Sequence, residues 1–261
     1  MKKFTLLLVA FFIFDASVKA QEWPVIQDDT RPSTRWWWLG SAVDKYNLSY
    51  NLENYAQAGI GGVEITPIYG VQGNDANDIP FLSPQWMQML QHTQEEGKRL
   101  HIRIDMNTGT GWPFGGPTVS IKDAATKAVF QEYDLQGGQQ IAMRIEPDDE
   151  RQHPVAQLAR LMAYSADGKI MNLTNRVKDG LLQWTVPEGQ WRLIALFEGK
   201  TLQSVKRAAP GGEGYVLDHY STKAVDNYLA RFDRAFKTNH TPFNMGCFVE
   251  THCFTTLLVE Y

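Results

Sequence analysis

The chain has 261 residues, a net charge of −4, an aromatic content of 12% and two cysteines. A nucleic-acid-binding protein carries a basic stripe and a pI well above neutral, so this composition argues against a nucleic-acid partner. Two cysteines are too few for a disulfide framework, so the fold must rest on a hydrophobic core.

The first twenty residues have the layout of a secretory signal peptide. Lys2 and Lys3 form a basic start, an apolar run extends from Leu6 to Phe14, and small residues lead to Ala20. Because such a leader is removed on export, residues 1–20 are excluded from the fold. The apolar run is too short to span a membrane, and no later segment reaches spanning length. We therefore expect an exported protein, periplasmic or secreted, without a membrane span.

The next hundred residues are predicted to alternate between strands and helices. In chain order they are a strand in RWWWLG from Arg35 to Gly40, a helix over Asp44–Ala58, a strand around Glu64, a helix from Ser83 to about Arg99, and a strand beginning at Leu100. Ser83 followed by Pro84 is a typical helix start. This spacing indicates βα units with right-handed crossovers, and hence a parallel sheet or barrel.

Three consecutive tryptophans occupy the first predicted strand. Because successive side chains of a strand point to opposite faces, at least one tryptophan faces the core and at least one faces elsewhere. Trp36 and Trp37 fit a buried strand with oversized side chains. Trp38, at the end of the strand, is expected to face a ligand.

The segment HIRIDMNTGTGWPFGGP, from His101 to Pro117, joins a predicted strand to a tightly turned loop. In barrels of parallel strands, the loops after the strands carry the chemistry. Glycines permit close approach of the backbone to a ligand, and the rings of Trp112 and Phe114 suit the C–H face of a sugar. The alternative is a surface loop whose two aromatic side chains plug its underside.

The residue pattern changes between about residues 124 and 206, where short alternating runs are separated by glycine turns. This pattern is typical of a small, sandwich-like antiparallel β-domain. The predicted division is a first half-barrel with strands 1–3 over 21–123, the inserted β-domain over 124–206, strand 4 and a helix over 207–240, and an aberrant tail over 241–261.

The chain is too short for a closed barrel with this insert. A (β/α)8 barrel alone takes roughly 250 residues, and the insert leaves room for about four or five strands. The expected fold class is therefore α/β, an incomplete (β/α)8 (TIM) barrel of the first four or so βα units, with an inserted antiparallel β-domain.

Four ordered motifs carry a family resemblance: RWWWLG, GIGGVEITPIYG, DMNTGTGWPFGGP and VKRAAPGGEGYVLDHYS. Together they resemble the N-terminal part of the α-L-rhamnosidases of glycoside hydrolase family 106. The resemblance implies an inverting enzyme that acts on terminal α-L-rhamnose of plant polysaccharides, with calcium in its active site. It extends to about Thr238. The tail PFNMGCFVETHCFTTLLVEY departs from the family, which we interpret as a frameshift or premature stop.

Inverting hydrolysis requires a general acid and a general base about 6.5–9.5 Å apart. Glu64, Asp105 and Asp218 lie at predicted strand ends, which the barrel rule aims at one cleft. The catalytic candidates are Glu64 and Glu250. Glu64 is alternatively a buried partner of another site residue, and the residues around Glu250 lack the family's pattern. We therefore expect the family's catalytic pair to lie in sequence that this chain lacks.

The expected substrate-binding residues are Arg35, Trp38, Asp105, Asn107, Trp112, Asp218 and His219. Asp105 and Asn107 carry oxygens suited to sugar hydroxyls or calcium, or else form an Asx turn. Asp218 and His219 resemble a substrate-binding pair, or else a helix-capping acid beside a core histidine. Arg35 either binds a carboxylate of the site or holds the N-terminal lead.

The sequence is thus interpreted as an N-terminal fragment of an exported, inverting α-L-rhamnosidase-like hydrolase that is inactive alone and binds a rhamnose-containing glycan. A non-catalytic carbohydrate-binding remnant and a gene product that never folds are the alternatives. Rhamnose specificity comes from the resemblance, since fold and composition do not select a sugar. The sequence leaves open whether Cys247 and Cys253 form a disulfide.

Overall fold

The computed structural model describes residues 24–27 and 30–241. The predicted signal peptide, both cysteines and Glu250 lie outside these residues. The strands are β1 Ser33–Leu39, β2 Gly62–Ile68, β3 Arg103–Met106, β4 Gly115–Gly116, β5 Thr126–Gln136, β6 Gln140–Arg144, β7 Gln157–Ser165, β8 Ile170–Asn172, β9 Val177–Lys178, β10 Leu181–Thr185, β11 Gln190–Lys200 and β12 Tyr215–Val216. The helices are α1 Lys45–Gln57, α2 Pro84–Leu100 and α3 Thr222–Thr238. In the described part of the chain, no helix is long and apolar enough to cross a membrane.

The first three strands form a parallel sheet in the order β1-β2-β3. Each connection between neighbouring strands contains one helix, as the alternating pattern predicts. Capping side chains fix where these helices begin: Asp44 accepts a hydrogen bond from the Asn47 N–H, and Ser83 accepts one from the Trp86 N–H. Helix α2 continues to Leu100, so the third strand begins at Arg103 and not at Leu100 as predicted.

The core of this unit lies between the parallel sheet and its helices. Trp36 and Trp38 of β1 are both buried, with 8% and 1% of their surface exposed. Their rings meet edge to face at 6.0 Å, and the Trp38 ring lies 5.6 Å from that of Trp86 on α2. The Trp86 indole N–H donates to the Ser41 hydroxyl at 3.0 Å, which satisfies its one polar group inside the core.

The predicted fourth strand does not extend the parallel sheet in the described residues. Tyr215 and Val216 of β12 pair antiparallel with Gly116 and Gly115 of β4. The close approach needs a residue without a side chain, because a Cβ on Gly115 would lie 2.1 Å from the Tyr215 carbonyl oxygen. In the described residues, β12 therefore pairs with β4 and not with β3, and the division of residues 207–240 into strand 4 of a barrel and a helix stays a prediction.

Strands β5 to β11 form two antiparallel sheets with a core of their own. The sheets have the strand orders β6-β10-β9 and β5-β11-β7-β8. Leu182 and Trp184 from the smaller sheet pack with Leu161 and Leu193 from the larger one. We call residues 126–200 the β-domain. The whole fold is mixed α/β with mostly antiparallel sheets, and the incomplete barrel stays a prediction.

The β-domain begins and ends at neighbouring points of the fold. Its first and last strands in the chain, β5 and β11, pair along their full length, with Thr126 opposite Lys200. The Lys200 ammonium donates to the carbonyl oxygens of Lys122 and Ala124 and to the Thr126 hydroxyl, at 2.9 to 3.1 Å. The Lys200 side chain thus links the end of the β-domain to the residues at which the domain begins.

Replacing Trp38 should destabilise the chain far more than replacing the adjacent Trp37. Trp38→Ala removes a large buried side chain and should cost about 3–5 kcal/mol of unfolding free energy. Trp37 is 45% exposed, so Trp37→Ala should cost roughly 1 kcal/mol or less. Urea unfolding followed by circular dichroism measures both midpoints. Equal midpoints for the two variants would contradict the core assignment.

The start of α1 should make stability depend on pH through Asp44. Hydrogen bonds from the backbone and side chain of Asn47 lower the pKa of the Asp44 carboxyl. Its contribution is therefore complete above the unfolded pKa of about 3.9 and is lost as the pH falls through the lowered folded value. Asp44→Ala should lower the unfolding free energy at pH 7 by about 1 kcal/mol.

The matched variant for this test is Asp44→Asn, because asparagine caps a helix but does not titrate. Its unfolding free energy should resemble that of the wild type near pH 7 and should fall less steeply between pH 6 and pH 3, as measured by urea titration at each pH. If wild type and Asp44→Asn fall equally over that range, Asp44 does not contribute to the pH dependence.

Candidate functional site

Three charged side chains lie in register across the exposed face of the parallel sheet. Arg35 on β1 is opposite Glu64 on β2, and Glu64 is opposite Asp105 on β3. Residues adjacent to Glu64 and Asp105 point to the other face of the sheet, where Ile65 of β2 and Ile104 of β3 are buried in the core. We call Arg35, Glu64 and Asp105 the polar row.

Hydrogen bonds join the polar row to itself and to the start of the sheet. Arg35 Nε and Nη2 each lie 3.3 Å from Glu64 Oε2. Arg103 Nε donates to Asp105 Oδ2 at 3.0 Å, and its Nη2 donates to the Ser33 hydroxyl at 3.0 Å. Arg35 therefore binds a carboxylate of the row, one of the two roles expected for it.

Glycine at position 62 makes the cross-strand contact between Arg103 and Ser33 possible. Gly62 lies between these residues in the sheet, and a Cβ there would be 2.7 Å from the Ser33 hydroxyl oxygen. The hydrogen bond from β3 to β1 therefore passes over a strand position that has no side chain.

Glu64 does not lie at the carboxyl end of its strand, where the sequence analysis places it. It is the third of seven residues of β2, so it is near the amino end of the strand and not at its carboxyl end. Its Oε2 is bound by Arg35, whereas its Oε1 is buried and has no hydrogen-bond partner among the described residues. A buried carboxylate oxygen without a partner is costly, so this atom is ready to accept a donor such as a ligand hydroxyl.

Two tryptophans form an aromatic wall beside the polar row. Trp37 is 45% exposed, and the Arg35 guanidinium lies 5.4 Å from its ring centroid. Trp112, from the loop after β3, meets the Trp37 ring at 5.9 Å with an interplanar angle of 65°. Hydrogen bonds in both directions between the backbones of Trp112 and Lys206, at 2.8 and 2.9 Å, hold this loop. We call Trp37 and Trp112 the aromatic wall.

Trp38 is not part of this wall, and its prediction as a substrate-binding residue is wrong. Only 1% of its surface is exposed, because its position in β1 turns it into the core with Trp36. Phe114 is also buried, with 4% exposed, so it plugs the underside of the loop and does not offer a face to a sugar.

The glycines of the loop bring protein segments together. A Cβ on Gly109 would lie 2.1 Å from the Phe114 ring, and one on Gly111 would lie 2.1 Å from the Lys206 carbonyl oxygen. Gly111 also has a φ of 70°, a conformation that favours glycine. At Gly109 and Gly111, the space that a side chain would fill is therefore taken by other parts of the protein and not by a ligand.

Asn107 shapes the same loop from a buried position. Its Oδ1 accepts a hydrogen bond from the Gly109 N–H at 3.1 Å, which forms the Asx turn given above as the alternative. The structure thus provides a conformational role for Asn107, and its predicted ligand role stays a prediction.

Asp218 and His219 follow β12. Asp218 Oδ2 accepts from the Thr126 hydroxyl at 2.6 Å, and its Oδ1 accepts from the Tyr220 N–H at 3.1 Å, so both oxygens bind the protein itself. The residue that caps α3 is Ser221, not Asp218. Burial lowers the pKa of His219, whose ring lies 6.4 Å from that of Phe114. A ligand role for this pair stays a prediction.

Sequence reasoning missed Arg103 and the exposed Tyr69, and its expectation that Trp37 fits a buried strand is wrong, because Trp37 is exposed. Tyr69 follows β2, is 44% exposed, and lies 5.6 Å from the Arg207 guanidinium. The two-residue period of a strand was the available signal, because it places Trp37 beside Arg35 and Arg103 beside Asp105.

The two side-chain oxygens expected to bind calcium are engaged by the protein itself. Calcium takes six to eight oxygen ligands. Within residues 24–27 and 30–241, no three acidic, histidine or cysteine side chains come together to hold a metal ion. Asp105 Oδ2 and Asn107 Oδ1, the oxygens expected to bind it, already accept hydrogen bonds from Arg103 and Gly109. Calcium stays a prediction of the family resemblance.

Comparison with solved structures supports the fold. The chain is similar to the rhamnosidase from Novosphingobium sp. PP1Y, with a TM-score of 0.64 and 14% identity, over 84% of this chain and 37% of that protein. Among curated proteins, it is 25% identical over 240 residues to a protein from Formosa agariphila named "Putative beta-glucuronidase". That match covers 77% of this chain and 20% of the relative.

The chain thus spans about a fifth of the curated relative and just over a third of the solved rhamnosidase. The sequence profile of glycoside hydrolase family 106, described as alpha-L-rhamnosidase, matches residues 25–166, which is more than half of the chain. This range contains the whole polar row and the aromatic wall. The chain belongs to the α-L-rhamnosidase family, glycoside hydrolase family 106.

Proposed function

We propose that this chain binds a terminal α-L-rhamnose unit of a plant polysaccharide, as the substrate-binding part of an exported, inverting α-L-rhamnosidase. The observation that carries the proposal is the polar row lying beside the aromatic wall on one exposed sheet face. A pyranose presents hydroxyls at its edge and C–H groups on its face, and rhamnose adds a methyl group. The row suits the hydroxyls, and the wall suits the apolar face.

Glu64 is the principal acceptor in this proposal. Its Oε1 has no partner among the described residues, while Arg35 holds the other oxygen in place. A sugar hydroxyl that donates to Oε1 removes the cost of a buried, unsatisfied acceptor. Asp105, 22% exposed and oriented by Arg103, is the second acceptor along the row.

The polar row positions the sugar and does not itself provide both catalytic groups. Glu64 and Asp105 are register partners on neighbouring strands, which lie about 4.8 Å apart. An inverting pair needs about 6.5–9.5 Å so that a water molecule fits beside the anomeric carbon. Glu64 and Asp105 are also each bound by an arginine. Hydrolysis therefore requires a carboxylate beyond this row, and we expect the chain alone to be inactive.

A non-catalytic carbohydrate-binding role is the second candidate, and the same row and wall favour it. The two candidates share the sugar contacts and differ in whether a catalytic acid and base join them. They are separated by measuring binding and hydrolysis independently.

Binding of methyl α-L-rhamnopyranoside should depend on the aromatic wall. Trp37→Ala should weaken binding about tenfold, because it removes an exposed ring without opening the core. Glu64→Gln should weaken it as well, since the amide offers a weaker acceptor and loses its ion pair with Arg35. Isothermal titration calorimetry of the full chain measures each affinity.

The matched control is Tyr46→Ala, which removes a 77% exposed aromatic side chain of helix α1 that belongs to neither the polar row nor the aromatic wall. Its affinity should equal that of the wild type. If Trp37→Ala and Tyr46→Ala bind the glycoside equally well, the row and wall are not the rhamnose site.

The full chain should not hydrolyse an aryl α-L-rhamnoside above the buffer rate. The loss of a positioned acid or base typically costs about 10²–10⁴-fold, and the loss of both costs more. A hybrid that joins residues up to Lys237 to the remaining barrel of a full-length relative should restore hydrolysis. In that hybrid, Trp112→Ala should chiefly raise KM, since a sugar platform binds ground state and transition state alike.

Release of the aryl alcohol by the unmodified chain at an ordinary enzymatic rate would overturn the inactive assignment and make Glu64, Asp105 and Glu250 the catalytic candidates. In the active hybrid, proton NMR of the first-formed rhamnose anomer tests inversion directly. A retained anomer would refute the proposed mechanism.

A further inference from the structure

A cavity of about 600 Å³ opens between the two sheets of the β-domain. Leu158 and Phe197 line it from the larger sheet, and Val177 and Ile145 line it from the side of the smaller one. Ile145 and Phe197 are 5% and 3% exposed and belong to the domain's core. The cavity therefore has a fixed apolar floor and a volume within the roughly 300–1,000 Å³ of pockets that hold small ligands.

Polar side chains stand at the rim of this cavity. Arg144 Nε lies 3.4 Å from Glu146 Oε2, and the two side chains are 66% and 48% exposed. A guanidinium has five N–H donors, so one contact with Glu146 leaves others for a ligand. His153 Nε2 lies 2.8 Å from the Pro147 carbonyl oxygen, to which it donates. In the neutral ring, Nδ1 is then an acceptor.

The rim is anchored to two neighbouring strands of the larger sheet, β5 and β11. The Tyr133 hydroxyl on β5 donates to the Glu146 carbonyl oxygen at 3.1 Å. Gln152, 1% exposed, donates to the Lys200 carbonyl oxygen at 2.9 Å and accepts from the Lys200 N–H at 3.0 Å on β11. The segment that carries Glu146 and His153 is therefore ordered before a ligand arrives, which lowers the entropic cost of binding.

The charges and the shape of the cavity together define its ligand. The positive charge of Arg144 faces the negative charge of Glu146, so the pair favours an uncharged partner. Donors and acceptors at the rim, above an apolar floor, match a molecule with hydroxyls at its edge and C–H groups on its face. We propose that this cavity is a second saccharide-binding site, which takes one neutral glycosyl unit. It is separate from the polar row and does not rest on the function proposed for it.

The test measures binding after the first site has been weakened. Full chain carrying Trp37→Ala and Trp112→Ala is titrated with neutral methyl glycosides of rhamnose, galactose, glucose and arabinose, and with glucuronate as a charged comparison. Saturation-transfer NMR should detect at least one neutral glycoside. Adding Arg144→Ala should weaken that affinity at least about tenfold, because a charge-assisted hydrogen bond is lost.

The matched control is Arg192→Ala. Arg192 is a 55% exposed arginine of the same domain, ion-paired with Asp134 at 2.8 Å, and it does not line the cavity. Its affinity should stay within about twofold of the parent, since exposed ion pairs contribute little. Ala156→Phe, which fills the cavity, should abolish binding while the urea midpoint confirms that the chain folds.

The outcomes separate the two sites. If no neutral glycoside binds in the Trp37→Ala and Trp112→Ala background, or if Arg144→Ala and Arg192→Ala bind alike, the cavity is not a saccharide site, whatever the polar row does. Preferential binding of glucuronate would overturn the assignment of a neutral ligand. If a neutral glycoside still binds the cavity, but Trp37→Ala binds methyl α-L-rhamnopyranoside as tightly as the wild type, only the site formed by the polar row and the aromatic wall is refuted.

Discussion

The alternation of side chains along β1 is the constraint on which the rest of the described site depends. Trp36 and Trp38 are committed to the core by their contacts with Tyr55 and Trp86. Arg35 and Trp37 must then occupy the opposite face. Parallel pairing with β2 and β3 extends that choice across the sheet, because the register aligns Arg35 with Glu64 and Glu64 with Asp105. A slip of one residue in this register would turn the polar row into the core and the core side chains to the opposite face.

The parts of this fold that can be predicted from the sequence are those determined by residues close together in the chain. Helix starts at Asp44 and Ser83 are encoded by neighbouring residues, and both are observed. The antiparallel runs between about residues 124 and 206 carry their own two-residue period, and strands β5 to β11 occupy that region. The pairing of Tyr215 with Gly116 was not readable, because an apolar run does not specify which strand it will join.

The candidate site was only partly predictable for a related reason. Arg35, Glu64, Asp105 and Trp112 were identified by residue type and by their place in the motifs, and all four belong to the observed surface. Trp38 was assigned to the wrong face because its position at the strand end was given more weight than its alternation with Trp37. The hydrogen bond that Asp218 accepts from the Thr126 hydroxyl joins residues 92 positions apart in the chain, so no local sequence pattern encodes it.

The first and last residues of the β-domain are neighbours, which allows the domain to be inserted or removed as one piece. Thr126 and Lys200 are opposite each other, so the main chain leaves the α/β unit and returns to it at almost the same point. Because the two ends of the inserted domain lie side by side, the α/β unit is joined across it as if by a short loop. The length of the insert therefore adds little to the entropic cost of closing that loop. The two units have separate cores, so each can accumulate substitutions without repacking the other. Gene rearrangement could therefore exchange or remove the domain as a cassette while leaving the β1-β2-β3 sheet unchanged.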